Sequence, residues 1–149
     1  MDDRQGLMRY SGMMQALRDQ GLPYPEESIF WYDTNQRLSM LEQSSTPGLE
    51  LCAEHLRKNC TAVICYNDEV ASKLLEILMR QGVKVPQQLA IISFDNSHYS
   101  SLGTIGLTSL APDPAKLGSL AAQAILTLAR GGQVSDQKLP WKLVVRKST

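Results

Sequence analysis

The side chains best suited to bind a small molecule occur in three short polar and aromatic clusters. Each cluster directly follows a segment with the pattern of a strand: Trp31-Tyr32-Asp33, Asn67-Asp68-Glu69 and Asp95-Asn96-Ser97-His98. Ligands of open parallel sheets collect beyond the carboxyl ends of the strands. Amides and carboxylates match the paired hydroxyls of a neutral sugar and an aromatic ring covers its C–H face, whereas a phosphate favours glycines and lysines. The clusters therefore predict a sugar site.

Each cluster also has an ordinary structural explanation. Asn67 and Asp68 are suited to cap a helix and to interact with its dipole. Trp31 can belong to the core or its rim, and Asp95 can form a turn by binding its own backbone. The sequence alone leaves these alternatives open.

Catalytic and metal-binding motifs are missing from the sequence. It contains no GxSxG, P-loop, HExxH or GxGxxG pattern. Ser93, Asp95 and His98 lie close together in sequence, but the members of a catalytic triad normally converge from separate segments. His55 and His98 lack partners at metal-ligand spacing. We therefore expect no enzyme activity, no cofactor and no metal.

Length and composition limit the class of protein. The 149 residues, 43% of them hydrophobic, suit one domain with a real core. Fifteen basic and fifteen acidic residues give a formal net charge of zero, which argues against a surface that binds nucleic acid or anionic lipid. No apolar run reaches the roughly 18 residues of a membrane span, and the start Met1-Asp2-Asp3 is unlike a signal peptide. Cys52, Cys60 and Cys65 form no CxxC pair, so we expect reduced, buried thiols in the cytoplasm.

Alternating strand and helix patterns predict an α/β fold with a largely parallel sheet. Helices are predicted to begin near residues 3, 34, 46, 67 and 113, and strands are predicted over 28–32, 61–66, 89–94, 105–110 and 143–145. The continuous apolar run 61–66 predicts a strand with both faces buried. The last helix is predicted to turn its apolar residues inward, namely Leu117, Leu120, Ala121, Ala124, Ile125 and Leu128.

Six segments, taken together, resemble the effector-binding domain of LacI/GalR-type repressors. They run in the family's order from one end of the chain to the other: Arg9-x-x-Gly12, TAVICYNDEVA at 61–71, GVKVPQQLAIISFDNS at 82–97, LTSL at 107–110, LGSLAAQAIL at 117–126 and LVVRKST at 143–149. The resemblance implies a periplasmic-binding-protein-like type I fold. It also implies that the chain is mostly the C-terminal lobe, a parallel sheet flanked by helices.

The same resemblance implies three divisions of the chain. Residues 1–110 are expected in the C-terminal lobe, 111–140 in the hinge crossings and a helix of the N-terminal lobe, and 141–149 in a strand that returns to the C-terminal lobe. Family members carry a DNA-binding headpiece, a first lobe and a central strand before the Arg-x-x-Gly helix. We therefore expect a sheet that is incomplete at the N-terminus and, because its strand edges are open, a segment that self-associates or exchanges elements between copies.

Within the family, CYNDE and the loop DNSHYSSLGTIGLTSL are most similar to the group that joins a GntR-type winged helix to a LacI-type sugar domain. This likeness implies a cytoplasmic homodimer that senses L-arabinose and binds operator DNA only through a separate headpiece. A transport-type sugar-binding protein of the same fold and a sugar-modifying enzyme stay open as alternatives. Most relatives carry two aspartates where this chain has Asp95-Asn96, so we expect that the choice of sugar can shift.

The resemblance also suggests a role for each candidate residue. Arg9 and Asn67 are expected to hydrogen-bond sugar hydroxyls, and Asp95 to accept from a further pair. Trp31 or Tyr32 is expected to cover the ring. His98, in the cluster after the strand at 89–94, completes the predicted ligand-binding set.

Overall fold

This computed structural model describes residues 4–24, 26–42 and 47–149, in which three helices precede the first strand and the other two helices lie between strands. The bounds of the helices are α1 Arg4–Asp19, α2 Thr34–Glu42, α3 Pro47–Asn59, α4 Asp68–Arg80 and α5 Pro114–Ala129. The strands are β1 Ala62–Ile64, β2 Ala90–Phe94, β3 Thr108–Ala111 and β4 Lys142–Val144. The five predicted helices are thus confirmed, although the predicted cap at Thr46 lies outside the described residues.

The strands form one sheet in the order β1-β2-β3-β4. β1 pairs with β2, and β2 with β3, in parallel, while β4 runs antiparallel to β3. Phe94 lies opposite Leu110, and Ala111 lies opposite Lys142. The carboxyl ends of β2 and β3 therefore meet at the same edge as the start of β4. This arrangement confirms the predicted α/β fold with a largely parallel sheet.

The core lies where α3 and α4 pack against the sheet. α4 buries its apolar stripe because its spacing places those side chains on one face, and α3 adds the four residues predicted for it: Leu49, Cys52, Ala53 and Leu56. Leu78, Leu89 and Ile91 are among the side chains almost completely removed from solvent. All three cysteines are free thiols; Cys52 and Cys65 are buried as predicted, whereas Cys60 is only half-buried.

The predicted strand at 28–32 is wrong. The chain forms a 3₁₀ turn over Glu26–Ser28 and has no regular structure from residue 29 to residue 33. A β-prone sequence makes a strand only where another strand offers it a ladder, and none of the described strands pairs with this segment. Its rings instead contact neighbouring helices: Trp31 meets Tyr10, and Phe30 meets His55.

The prediction that both faces of 61–66 are buried is also wrong. The strand is shorter, and its exposure alternates, so that Ala62 and Ile64 are exposed while Val63 packs against the core. In the described sheet β1 pairs only with β2, so it is an edge strand with one open side. Apolar composition alone could not distinguish this position from a central one.

The last helix forms as predicted but does not bury its apolar face. Asp113 caps it by accepting a hydrogen bond from the Lys116 amide at 2.9 Å. None of its residues is buried, and Ile125 is 67% exposed. The prediction of inward-facing residues fails because the described elements provide no surface that covers this helix. The assignment of 111–140 to another lobe stays a prediction.

None of the described helices combines the length and apolarity needed to cross a membrane.

Candidate functional site

Arg9 and Asp95 are separated by 86 residues in the sequence and are paired in the structure. Arg9 lies on α1, and Asp95 directly follows β2. The Arg9 Nη2 atom donates to Asp95 Oδ1 at 3.1 Å, and its Nη1 atom donates to the Tyr66 carbonyl at 2.6 Å. The Arg9 side chain is 15% exposed, whereas that of Asp95 is 41% exposed. The guanidinium is therefore held in place while the carboxylate still faces solvent.

Three aromatic rings surround the guanidinium of Arg9. Its Cζ atom lies 4.9 Å from the ring centroid of Tyr66, 4.5 Å from that of Phe94 and 5.7 Å from that of Trp141. Ring faces carry negative electrostatic potential and attract such a cation, most strongly where water is excluded. The rings and the two hydrogen bonds fix the plane of the fork, so its remaining N–H groups point in defined directions.

Sequence reasoning missed this aromatic cluster. Tyr66 and Phe94 are the residues just before the clusters that begin at Asn67 and Asp95, so attention to the last residue of each strand segment could have found them. Trp141 lies just before β4. Nothing in its local sequence indicates that it meets an arginine of the first helix.

Asn67 is confirmed as a helix cap. Its backbone is extended, and its Oδ1 atom accepts from the Val70 amide at 3.0 Å. Its side-chain amide nitrogen donates no hydrogen bond to the described part of the chain. The same side chain can therefore cap α4 through its oxygen and donate to a ligand through its nitrogen.

Asp68 has a larger structural role than the predicted helix start. It is 1% exposed and accepts hydrogen bonds from the Ser93 hydroxyl, from Ser109 Oγ at 2.6 Å and from the Ser97 amide at 2.6 Å. One carboxylate thus joins β2, β3 and the loop after β2. A buried carboxylate requires such donors, and here they fix the loop that carries Asp95.

Asp95 and Asn96 form a sharp turn at the end of β2. Their φ angles are +93° and +47°, in the left-handed region that non-glycine residues rarely adopt. The Asp95 amide donates to the Leu110 carbonyl at 2.8 Å, and Arg146 Nη2 donates to Asn96 Oδ1 at 2.6 Å. Asp95 is therefore both a turn residue and a partner of Arg9. The Asn96 side chain contacts Arg146 rather than Arg9.

The predicted aromatic residues lie beside this cluster. The Tyr32 ring meets that of Tyr66 edge-on at 6.3 Å. Burial raises the pKa of Tyr32 well above its usual value, and its hydroxyl is buried without a hydrogen bond to the described residues. Trp31 is 54% exposed and meets Tyr10 at 5.0 Å. The described ring contacts and hydrogen bonds join neither residue to Asp95.

His98 lies farther along the loop, on a 3₁₀ turn. Its side chain is exposed, and its ring stacks at a tilt on that of Tyr99 at 4.1 Å. The described contacts do not join it to Arg9 or Asp95. Its role in binding stays a prediction.

A concavity of about 310 Å³ adjoins Arg9, with Arg4, Gln5, Met8 and Trp141 as its other lining residues. A larger depression, of about 680 Å³, lies beside α3 and is lined by Pro47, Leu51 and four charged or polar side chains, without an aromatic ring. Among the described residues, no group of three or more histidine, cysteine and acidic side chains is arranged to hold a metal ion. The concavity beside Arg9 has an aromatic ring and is the better candidate for a sugar, although its lining includes neither Asp95 nor Asn67.

Comparison with known proteins agrees with this geometry. An arabinose metabolism transcriptional repressor from Geobacillus stearothermophilus is 30% identical over 99% of this chain, and the chain spans 41% of that relative's length. The crystal structure of a transcription regulator from Lactobacillus plantarum is 27% identical, with a TM-score of 0.81 over 99% of this chain and 55% of the other. A LacI family transcriptional regulator from Bifidobacterium animalis is 30% identical, with a TM-score of 0.63 over 68% of this chain and 39% of the other.

The family match covers nearly the whole chain, residues 2–149. The similarity to the LacI family transcriptional regulator agrees with it. The resemblance to LacI/GalR-type effector domains is thereby confirmed. The chain belongs to the periplasmic binding protein-like domain family, in the form found in LacI-type transcriptional regulators.

Proposed function

We propose that this chain is the sugar-sensing domain of a bacterial transcriptional repressor and that L-arabinose is its effector. The observation that carries the proposal is the Arg9–Asp95 pair, in which a fixed cation lies beside a half-exposed carboxylate. The name of the relative from Geobacillus stearothermophilus supports arabinose as the sugar. Asn67, Trp31, Tyr32 and His98 are proposed as further ligand-binding residues.

The site offers the polar groups that a neutral sugar requires. Arg9 uses two of its guanidinium nitrogens on the protein, and its other N–H groups can donate to hydroxyl oxygens. The second carboxylate oxygen of Asp95 accepts no hydrogen bond from the described residues and can accept from two hydroxyls. Asn67 adds a donor from the neighbouring strand end. This set favours vicinal hydroxyls over a phosphate.

The proposed mechanism is a shift between two lobe orientations. Sugar binding between this lobe and a second lobe favours one orientation, and residues 111–140 form the crossings and a helix of that second lobe. In a homodimer the change alters the spacing of headpieces that bind operator DNA. The affinity for DNA then falls by a coupling free energy that is typically about 1 to 3 kcal/mol. No catalytic step is involved.

Calorimetric titration of the full-length protein with L-arabinose, D-galactose and D-ribose tests the proposal. We expect saturable binding that is strongest for L-arabinose. Asp95→Ala should weaken it by about 1 to 3 kcal/mol, because sugar hydroxyls lose their acceptor. Asp19→Ala, a matched change at an exposed aspartate at the end of α1, should leave the affinity unchanged.

Each other result has a separate meaning. Preference for galactose or ribose would contradict arabinose while keeping a sugar sensor. Equal affinities of the Asp95→Ala variant and the wild type would remove Asp95 from the site. Binding of none of the three sugars would contradict the proposed function.

A further inference from the structure

We infer that Trp141 belongs to the sugar site and supplies the aromatic surface that covers the C–H face of the bound sugar. The inference rests on the proposed function and adds to it a residue that determines specificity. It assigns to Trp141 the covering role that sequence reasoning gave to Trp31 or Tyr32.

The backbone places Trp141 at the correct edge of the sheet. β4 runs antiparallel to β3 and begins opposite Ala111, the last residue of β3. Because the two strands are antiparallel, β4 begins at the edge of the sheet where β3 ends. The residue before β4 therefore lies at the edge formed by the carboxyl ends of β2 and β3. Asp95 leaves β2 at the same edge. Two separate parts of the sequence thus meet there because of strand direction alone.

Side-chain contacts hold the indole in a defined position. The Arg9 guanidinium lies 5.7 Å from its centroid, and the Phe94 ring meets it edge-on at 6.1 Å with an angle of 71° between the planes. Arg9 is in turn bonded to Asp95. A ring fixed by a cation and a second ring loses little conformational freedom when a ligand binds.

Much of the indole nevertheless remains available. Trp141 is 43% exposed and lines the concavity of about 310 Å³ together with Arg9 and Met8. A large aromatic surface next to hydrogen-bonding groups is the combination that a sugar requires, because its hydroxyls and its C–H face need different partners. A sugar bound to the fork of Arg9 would contact the indole.

Phe30 provides an internal comparison. It is also a partly exposed aromatic residue, 38% exposed, but its described ring contact is with His55 of α3. Substitution by leucine at the two positions therefore compares a ring that contacts Arg9 with a ring whose described contact is elsewhere.

Affinity for L-arabinose, measured by calorimetry on the full-length protein, tests the inference. We expect Trp141→Leu to weaken binding about tenfold, because an aliphatic side chain lacks the aromatic face. Trp141→Phe should retain affinity to within about threefold, since it restores an aromatic face. Phe30→Leu should also remain within about threefold. Thermal unfolding of each variant shows whether a loss of affinity accompanies a loss of structure.

A second measurement is independent of variant stability. The protein is labelled with 5-fluorotryptophan, and its ¹⁹F resonances are assigned by their disappearance in Trp31→Phe and Trp141→Phe. We expect L-arabinose to shift the Trp141 resonance more than that of Trp31. The inference about Trp141 is wrong if the protein binds the sugar while the Trp141 resonance does not shift and Trp141→Leu keeps the wild-type affinity. The proposed function would stand in that case. Absence of sugar binding in the wild type would overturn the proposed function as well.

Discussion

The carboxyl edge of the sheet and the helix α5 differ in how far neighbouring residues bury their side chains. At the edge, one buried carboxylate, that of Asp68, accepts three hydrogen bonds from β2, β3 and the loop between them. Along α5, leucine and isoleucine side chains are exposed and none is buried. The carboxylate of Asp68 is thus more completely buried than the apolar side chains of α5.

This difference shows that burial depends on what lies opposite a residue. Asp68 is buried because serine hydroxyls and a backbone amide replace the water it loses. Leu128 is exposed because the described elements provide no partner. A polar residue with complete partners can be more constrained than an apolar helix without them.

The largest expected effect is that of Asp68→Ala. It leaves the Ser93 and Ser109 hydroxyls and the Ser97 amide without their acceptor, so we expect the free energy of unfolding to fall by about 4 kcal/mol. The matched change Asp113→Ala removes only the cap of α5 and should cost less than about 1 kcal/mol. Urea unfolding of both variants measures the difference. Equal losses would contradict the contrast between the two regions.

Truncation of apolar side chains should give the next largest difference. Leu78→Ala opens a cavity in the core and should cost about 3 kcal/mol. Leu128→Ala, on α5, should change the free energy of unfolding of the 149-residue chain by less than about 0.5 kcal/mol. A cost at Leu128 close to that at Leu78 would show that α5 is packed in this chain.

Alkaline pH should weaken the packed region through its thiols. Burial raises the pKa of Cys52 and of Cys65 to about 12, from an ordinary value of 9.0. Below pH 9 the thiols are protonated in both states, so their contribution is complete. As the pH rises toward 12, the unfolded chain loses these protons first and stability falls, by about 1 kcal/mol for each thiol one unit above its unfolded pKa.

Urea unfolding from pH 8 to pH 10 checks this dependence, with Cys65→Ala as the comparison. The variant should lose less stability over this range than the wild type. An identical slope in the two proteins would show that the Cys65 thiol does not contribute to the dependence.

The smallest effect is expected for Asn96→Asp. Its side chain faces Arg146, so an aspartate should keep that contact and change stability by less than about 0.5 kcal/mol. The affinity for L-arabinose should stay within about twofold, unlike that of Asp95→Ala. A changed order of preference among L-arabinose, D-galactose and D-ribose would show that this position selects the sugar.

The fold could be predicted from the sequence wherever an element meets its neighbours within the described chain. The spacing in α3 and α4 gave the right buried faces, and the capping residues Asn67 and Asp113 gave the right helix starts. The segment 28–32, the strand β1 and the helix α5 were predicted wrongly in their pairing or burial. In each case the local pattern was sound, but burial depends on a partner that local sequence does not specify.

The site was partly predictable for a similar reason. Arg9 and Asp95 were singled out from family motifs, and the structure pairs them. Phe94 and Trp141 were missed because their importance comes from their contacts with the Arg9 guanidinium. Phe94 and Trp141 are 85 and 132 residues from Arg9 in the sequence, and contacts between segments so far apart leave no periodic signal.

The most direct test of the central claim is to replace the planar guanidinium of Arg9 with the ammonium group of lysine. L-arabinose is titrated calorimetrically into the full-length wild type, Arg9→Lys and the control Arg18→Lys, which changes an exposed arginine of the same helix. Lysine keeps the charge but cannot bond Asp95, the Tyr66 carbonyl and a sugar through one planar group. We predict that Arg9→Lys weakens binding about tenfold or more while Arg18→Lys does not. Equal affinities in all three proteins would contradict the claim that Arg9 and Asp95 form the sugar site.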